Sequence, residues 1–116
     1  MKRTLKDYLL DLRGAAEETE RFTKGMTLEE FLRDRKTSNA VIRSLEVMGE
    51  AAKKIPEEVR SRYPEIPWKR VAGMRDVLIH EYHGVELEII RKTVREELPP
   101  LNPLLEKMLQ ELEKEL

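Results

Sequence analysis

The sequence has 116 residues, of which 40% are hydrophobic and 39% charged, with a formal net charge of -1 and no cysteine. This length predicts one domain, residues 1–116, and the lack of cysteine excludes disulfides and thiolate metal ligands. The near-zero charge excludes an overall basic coat for nucleic acid but allows a local basic patch. No stretch is long and apolar enough to indicate a signal peptide or a membrane span, so we expect a cytoplasmic protein.

The first half of the chain shows helical periodicity. Apolar residues at helical spacing predict a helix from about Lys2 to Arg21, and the glycine-containing stretch after it breaks the pattern. Thr27 is followed three residues later by Glu30, a capping-box pattern that predicts the start of a short second helix. A third helix follows, for which the sequence predicts a cap within residues 37–39, Thr-Ser-Asn.

The second half of the chain predicts four more helices. A proline at position 56 starts a short one, and the fifth runs from about Trp68 to Tyr82. The sixth runs from Glu86 to Leu98, where Pro99-Pro100 end it, and the last runs from Pro103 to Leu116. Trp68, the only tryptophan, is expected to fill the core. No strand-like alternation occurs, so the predicted fold class is all-α.

Charge is distributed unevenly along the chain. Between Lys53 and Arg75, seven basic residues outnumber three acidic ones, which gives this segment a net charge of +4. Between Glu96 and Leu116, six acidic residues outnumber two lysines, which gives -4. The basic segment could therefore serve a phosphate chain. On the third helix Arg43, Glu46 and Glu50 share one face, and we interpret it as a solvated or interhelical salt-bridge face.

The stretch from Arg75 to Tyr82 holds an arginine, one of the two histidines and a tyrosine within eight residues. Arginine carries a permanent fork of donors suited to phosphate, and the side chain of His80 can transfer protons near neutral pH. Asp76 precedes His80 by four residues, so the two share a face on a helix. A carboxylate there would fix the imidazole tautomer and favour its charged form. This stretch is the candidate site.

A helical wheel separates the residues of this stretch. At 100° per residue, the core-facing stripe consists of Val71, Met74 and Leu78. Tyr82 is almost aligned with Arg75, whereas His80 lies about 140° from Arg75. Two devices could bring Arg75 and His80 together: unwinding of the helix near His80, or a second copy of the chain across a dimer interface. Gly73 lies on the His80 face and would allow close helix approach.

Two other interpretations of the stretch compete with a catalytic one. Arg75, Asp76 and His80 could form a structural salt-bridge cluster, because short motifs match by chance. A metal site is the second alternative, and it requires the helix end to bend to complete the ligand count. Its ligands would be His80, Glu81, His83 and Glu86.

The surrounding residues resemble the HEPN superfamily, specifically its HepT-like branch. The segment Val71–Val85 is similar to that branch's motif of arginine, polar residue, spacer, histidine, any residue and tyrosine. The resemblance covers nearly the whole chain and departs from the branch at Asp76, where asparagine is common, and at His83, where an aromatic is common. Further similar segments are Asp7–Asp11, Ala40–Arg43, Gly49–Ala52 and Tyr63–Trp68.

The resemblance implies an antiparallel helical bundle and a homodimer whose motifs meet at the interface. It implies a metal-independent endoribonuclease without a cofactor, acting as the toxin of a type VII-like toxin–antitoxin pair. The implied antitoxin is an MNT-type minimal nucleotidyltransferase that attaches AMP to the motif tyrosine. On the matching positions Arg75 and His80 are the catalytic pair, Asp76 is the polar supporter, and Tyr82 is the modified residue.

A non-catalytic role is the alternative from a different class. The same Arg75 and His80 could bind the phosphate of a nucleotide or RNA without cleaving it, either as a binding module or as an accessory subunit of a nucleotidyltransferase. The low net charge favours this alternative over a nuclease.

Overall fold

The computed structural model describes residues 2–80 and 87–115, with the backbone alone for residues 76–80. Within these ranges the regular secondary structure is helical, without a strand, which confirms the predicted all-α helical bundle. No helix in the described part of the chain is long and apolar enough to cross a membrane. The helices are α1 (Leu5–Thr23), α2 (Leu28–Arg33), α3 (Arg35–Lys54), α4 (Glu57–Arg60), α5 (Trp68–His80), α6 (Leu87–Glu96) and α7 (Leu98–Glu113).

Capping boxes start the first two helices. In α1 the Thr4 side chain accepts from the Asp7 N–H, and the Asp7 carboxylate accepts from the Thr4 N–H at 2.8 Å. In α2 Thr27 and Glu30 make the same reciprocal pair at 3.1 and 2.9 Å, which confirms the predicted capping box. The hydrogen bond from the Thr27 N–H lowers the pKa of Glu30. Gly25 turns the chain between the two helices with φ +78°, a conformation that favours glycine.

The start of α3 differs from the prediction. The helix begins at Arg35, and its cap is Asp34, whose carboxylate accepts from the Thr37 N–H at 3.0 Å and from the Thr37 hydroxyl at 2.7 Å. The predicted cap, residues 37–39, therefore lies inside α3. Aspartate is as good a cap as serine or asparagine, and the same Asp34 also ends α2, so one residue joins the two helices.

The prediction for the two adjacent prolines near the end of the chain is also wrong. α7 begins at Leu98, so Pro99 and Pro100 lie in its first turn instead of separating two helices. The N–H groups of a first helical turn have no intrahelical partner, so proline is tolerated there. Pro103, predicted as the start of the last helix, lies inside α7.

The segment that leads into α5 is anchored in the core by residues other than the expected tryptophan. Tyr63 and Ile66 are 6% and 2% exposed, whereas Trp68 is only partly buried at the edge of the core. The Trp68 Nε1–H donates to the Tyr63 carbonyl at 3.0 Å, a polar partner typical of tryptophan at a core edge. The Tyr63 hydroxyl donates to the Glu111 carboxylate on α7 at 2.8 Å. Burial and this hydrogen bond raise the pKa of Tyr63 to about 12.

The packing of α5 against α3 depends on Gly49. α5 packs mainly on α3, and α3 itself packs on α1. A Cβ atom built at Gly49 would lie 2.7 Å from the Arg75 Cβ and 2.8 Å from the Arg75 N, distances that real Cβ contacts do not show. The two backbones therefore meet at Gly49, a residue for which no close helix contact was predicted. At Gly73, which the sequence predicts as a point of close helix approach, no atom of the described structure lies within 4 Å of such a Cβ, so the single chain does not test that prediction.

Replacing Gly49 by alanine is expected to destabilise the protein. The overpacking cost of about 1–3 kcal/mol outweighs the gain of roughly 0.5–1 kcal/mol that alanine brings to an open helical position. Gly14→Ala in α1 is the matched control, because a Cβ there meets no described atom within 4 Å and should stabilise the helix. Urea unfolding followed by circular dichroism measures both variants, and equal effects at the two positions would contradict the tight contact.

Candidate functional site

Arg75 contacts α3 both at its Cβ and at its guanidinium group. Its Cβ and backbone N lie against Gly49, as described above, and its Nε lies 2.6 Å from the Glu50 Oε2. The Arg75 side chain is 36% exposed and the Glu50 side chain 48%, so the pair is partly open to solvent. The ion pair is a charge-assisted hydrogen bond, which fixes the direction of the arginine fork.

Glu50 was predicted to lie on the salt-bridge face of α3, but its contact with Arg75 was not predicted. The predicted salt-bridge face of α3 is confirmed, since the Arg43 Nη1 lies 3.5 Å from the Glu46 Oε2 and Glu50 forms the interhelical pair. The available signal was the Gly49-Glu50 dipeptide, a small residue beside an acid. That signal becomes informative only when the helix packed against it is known.

The other residues of the candidate stretch are placed by the backbone alone or lie outside the described residues. Asp76 and His80 lie on α5, which continues as a helix to His80. Tyr82 lies outside the described residues, as do the other proposed metal ligands at positions 81, 83 and 86. The predicted core-facing stripe is confirmed where side chains are described, because Val71 and Met74 are 1% and 5% exposed.

Acidic residues from the end of the chain offset much of the basic segment near α5. Arg70 donates two hydrogen bonds to the Glu97 carboxylate, at 2.8 and 2.9 Å, and Arg62 donates two to Glu115, at 3.0 and 2.6 Å. The Arg70 hydrogen bond lowers the pKa of Glu97, and the Glu97 hydrogen bond raises that of Arg70. Part of the positive charge of residues 53–75 is therefore paired with negative charge of residues 96–116 in the same molecule.

No group of three or more histidine, aspartate or glutamate side chains in the described part of the chain is arranged to hold a metal ion. The described part of the site consists of the Arg75 guanidinium, which the Glu50 carboxylate orients. Arg75 lies on the same helix as His80. Such a fork can bind a phosphate group and stabilise charge that builds on its oxygens.

Comparisons with known proteins identify the family of the chain. The family model for HepT-like ribonucleases matches residues 12–108. A protein of Thermococcus cleftensis named "Probable ribonuclease HepT" is 50% identical over 108 residues, which cover 93% of this chain and 98% of that protein. A protein of Methanocaldococcus jannaschii named as a "Putative RNase" is 45% identical over 112 residues, which cover 97% of each chain. No solved structure matches the chain significantly.

The match spans most of the chain, so this protein belongs to the HepT-like ribonuclease family. This membership confirms the predicted family and the predicted class of enzyme, a ribonuclease.

Glu50 is expected to act as a positioning residue for Arg75. Glu50→Gln removes the charge that orients the guanidinium, and we expect RNA cleavage to slow by about ten-fold or more, since small misplacements of a catalytic group are costly. Glu46→Gln on the same helix is the matched control and should leave cleavage nearly unchanged. The measurement is kcat and KM for cleavage of a fluorogenic RNA.

A double-mutant cycle separates positioning from general stability. If Glu50 acts through Arg75, adding Glu50→Gln to an Arg75→Ala variant should cause little further loss. An equal loss in both backgrounds would mean that Glu50 acts independently of Arg75.

Proposed function

We propose that this chain, as one domain of residues 1–116, is a metal-independent endoribonuclease that acts as the toxin of a type VII-like toxin–antitoxin pair in the cytoplasm. The observation that carries the proposal is the oriented, partly exposed Arg75 on the same helix as His80, in a chain of the HepT-like ribonuclease family. The family membership supports an enzyme over the non-catalytic binding module.

The proposed reaction is internal transfer within RNA. The ribose 2′-hydroxyl attacks the adjacent phosphorus, a new 2′-O–P bond forms, and the P–O bond to the 5′-oxygen of the next nucleotide breaks. His80 takes the proton from the 2′-hydroxyl or supplies one to the departing 5′-oxygen, with Asp76 as its polar supporter. Arg75 stabilises the charge that builds on the phosphoryl oxygens. The products are a 2′,3′-cyclic phosphate and a 5′-hydroxyl.

This chemistry predicts cleavage without a divalent ion. Purified protein should cut RNA in excess EDTA, and His80→Ala should reduce the rate by at least about a hundred-fold, the contribution typical of a general acid or base. Arg75→Ala should also lose activity. Arg43→Ala, whose side chain is 75% exposed on α3, should not. Activity that disappears in EDTA and returns with magnesium would refute the metal-independent mechanism.

A homodimer is part of the proposal, because Arg75 and His80 lie on different faces of a regular helix. The backbone of α5 is helical up to His80, which supports a second copy over unwinding as the device that brings the two residues together. Within one chain no described atom lies within 4 Å of a Cβ built at Gly73, so a second α5 could approach closely there.

The dimer has a direct test in solution. Light scattering at micromolar concentration should give about twice the chain mass of 13.7 kDa. Gly73→Leu should weaken the dimer and its cleavage activity together, whereas Gly14→Leu on α1 serves as the control for a bulky side chain on an open helical glycine. A monomer that still cuts RNA would exclude the composite site.

Silencing by a partner nucleotidyltransferase completes the proposal. The partner is an MNT-type antitoxin that transfers AMP from ATP to the Tyr82 hydroxyl, forming a tyrosyl phosphodiester and releasing pyrophosphate. The added group is bulky and negatively charged, so it would exclude RNA by volume and by like charge. Its phosphate could also pair with Arg75 as bound substrate would.

Tyr82→Phe is expected to keep cleavage activity, because the hydroxyl has no proton-transfer role in the proposed reaction. The same variant should escape silencing by the nucleotidyltransferase and ATP. Tyr8→Phe on α1 is the matched control and should remain silenced. Intact-mass spectrometry after incubation should show an adenylyl group on the wild type and on Tyr8→Phe only. An equal mass increase on Tyr82→Phe would remove Tyr82 from the mechanism.

A further inference from the structure

A cationic cleft lies on helices other than α3 and α5. It has a volume of about 830 Å³ and is formed by the end of α1, the turn at Gly25, α6 and the first turn of α7, with Leu28 of α2 at its edge. No described side chain of α3 or α5 lines it. Its volume lies within the range of small-molecule sites, roughly 300–1,000 Å³. Its cationic side chains are Arg21, Lys24, Arg91 and Arg95.

Arg91 is the residue of this cleft that indicates a bound ligand. The residue is only 8% exposed. One terminal nitrogen donates to the Met26 carbonyl, but the Nε–H is buried without a hydrogen-bond partner in the described structure. Arg91 also forms no ion pair with any described carboxylate. A buried charge without a counter-ion is costly, so an anion bound in the cleft would remove a cost that the protein otherwise carries.

The acidic residues of the cleft do not supply that counter-ion. Glu20 accepts a hydrogen bond from Asn102 of α7, and the Glu17 carboxylate lies 3.6 Å from the Arg13 Nη1. Among the described residues, four cationic and two anionic side chains line the cleft, which gives this lining a net charge of +2. The cleft is therefore electropositive, and its buried member is an arginine, whose planar fork matches a phosphate.

The remaining lining residues indicate the chemical character of the rest of the ligand. Apolar surface is present beside the cations, contributed by Met26, Leu28, Val94 and Pro99. Small-molecule sites combine such apolar walls with a few convergent polar groups that fix orientation. The geometry points to a binding site for a phosphorylated small molecule of nucleotide size, with its phosphates on Arg91 and Arg95 and its apolar ring against the walls. This site is independent of the proposed RNA cleavage.

Calorimetric titration with two probes, ADP and inorganic pyrophosphate, tests the site in the full-length chain at constant ionic strength. We expect saturable binding of one ADP per chain. Arg95→Gln should weaken the affinity by roughly ten-fold or more, as expected for loss of a charge-assisted hydrogen bond. Arg21→Gln should weaken it as well. These side chains are used because substituting Arg91 also removes its bond to the Met26 carbonyl.

Two control variants separate this cleft from other cationic sites. Arg43→Gln, on the exposed face of α3, should bind ADP as the wild type does. Arg75→Ala tests whether ADP binds instead at the candidate ribonuclease site. Absence of ADP and pyrophosphate binding at millimolar concentration would overturn the proposal. Affinity lost in Arg75→Ala but kept in Arg95→Gln would overturn it too. Binding of a short RNA that depends on Arg95, without binding of either probe, would assign the cleft to RNA and also refute the proposal.

Discussion

The contact between α3 and α5 at Gly49 is the constraint on which the arrangement of the site depends. α5 packs mainly on α3, and the backbone N of Arg75 would lie only 2.8 Å from any Cβ at position 49. Because α3 approaches the backbone of α5 closely at Arg75 itself, this contact fixes the position of the Arg75 Cα and Cβ. The next residue on α3, Glu50, then fixes its tip. Two consecutive residues therefore position one guanidinium.

Electrostatics in this molecule orient side chains more than they stabilise the fold. The side chains of Arg75 and Glu50 are more than one-third exposed, and such pairs contribute on the order of 0.2–1 kcal/mol. The pairs of Arg62 with Glu115 and of Arg70 with Glu97 are exposed to a similar extent. Their effect is to offset the basic segment locally, which limits unspecific attraction of RNA to this side of the bundle.

Residue spacing and capping patterns predicted the helices. The errors in the helix boundaries arose where two such patterns competed. The capping box at Thr27 and the buried stripe of α5 follow from spacing alone, and both are confirmed. The cap of α3 was misplaced because Asp34 competes with equally good cap residues three to five positions later. The prolines before Asn102 were interpreted as a break, although a first helical turn tolerates them. In the site, the stretch around Arg75 was identified from residue types. Its partner Glu50 was not, because a contact between distant residues requires knowing which helices pack together.

The shared cap at Asp34 limits how the length of this chain can vary. One residue both ends α2 and begins α3, so the connection contains no spare residue to absorb an insertion or deletion. Adding one residue there by extending either helix would rotate α2 by about 100° relative to α3. Such a rotation would turn Phe31, which is 0% exposed, away from the core. Relatives of this protein should therefore keep the length of the α2–α3 connection fixed, and length changes should occur instead in the glycine turn that precedes α2.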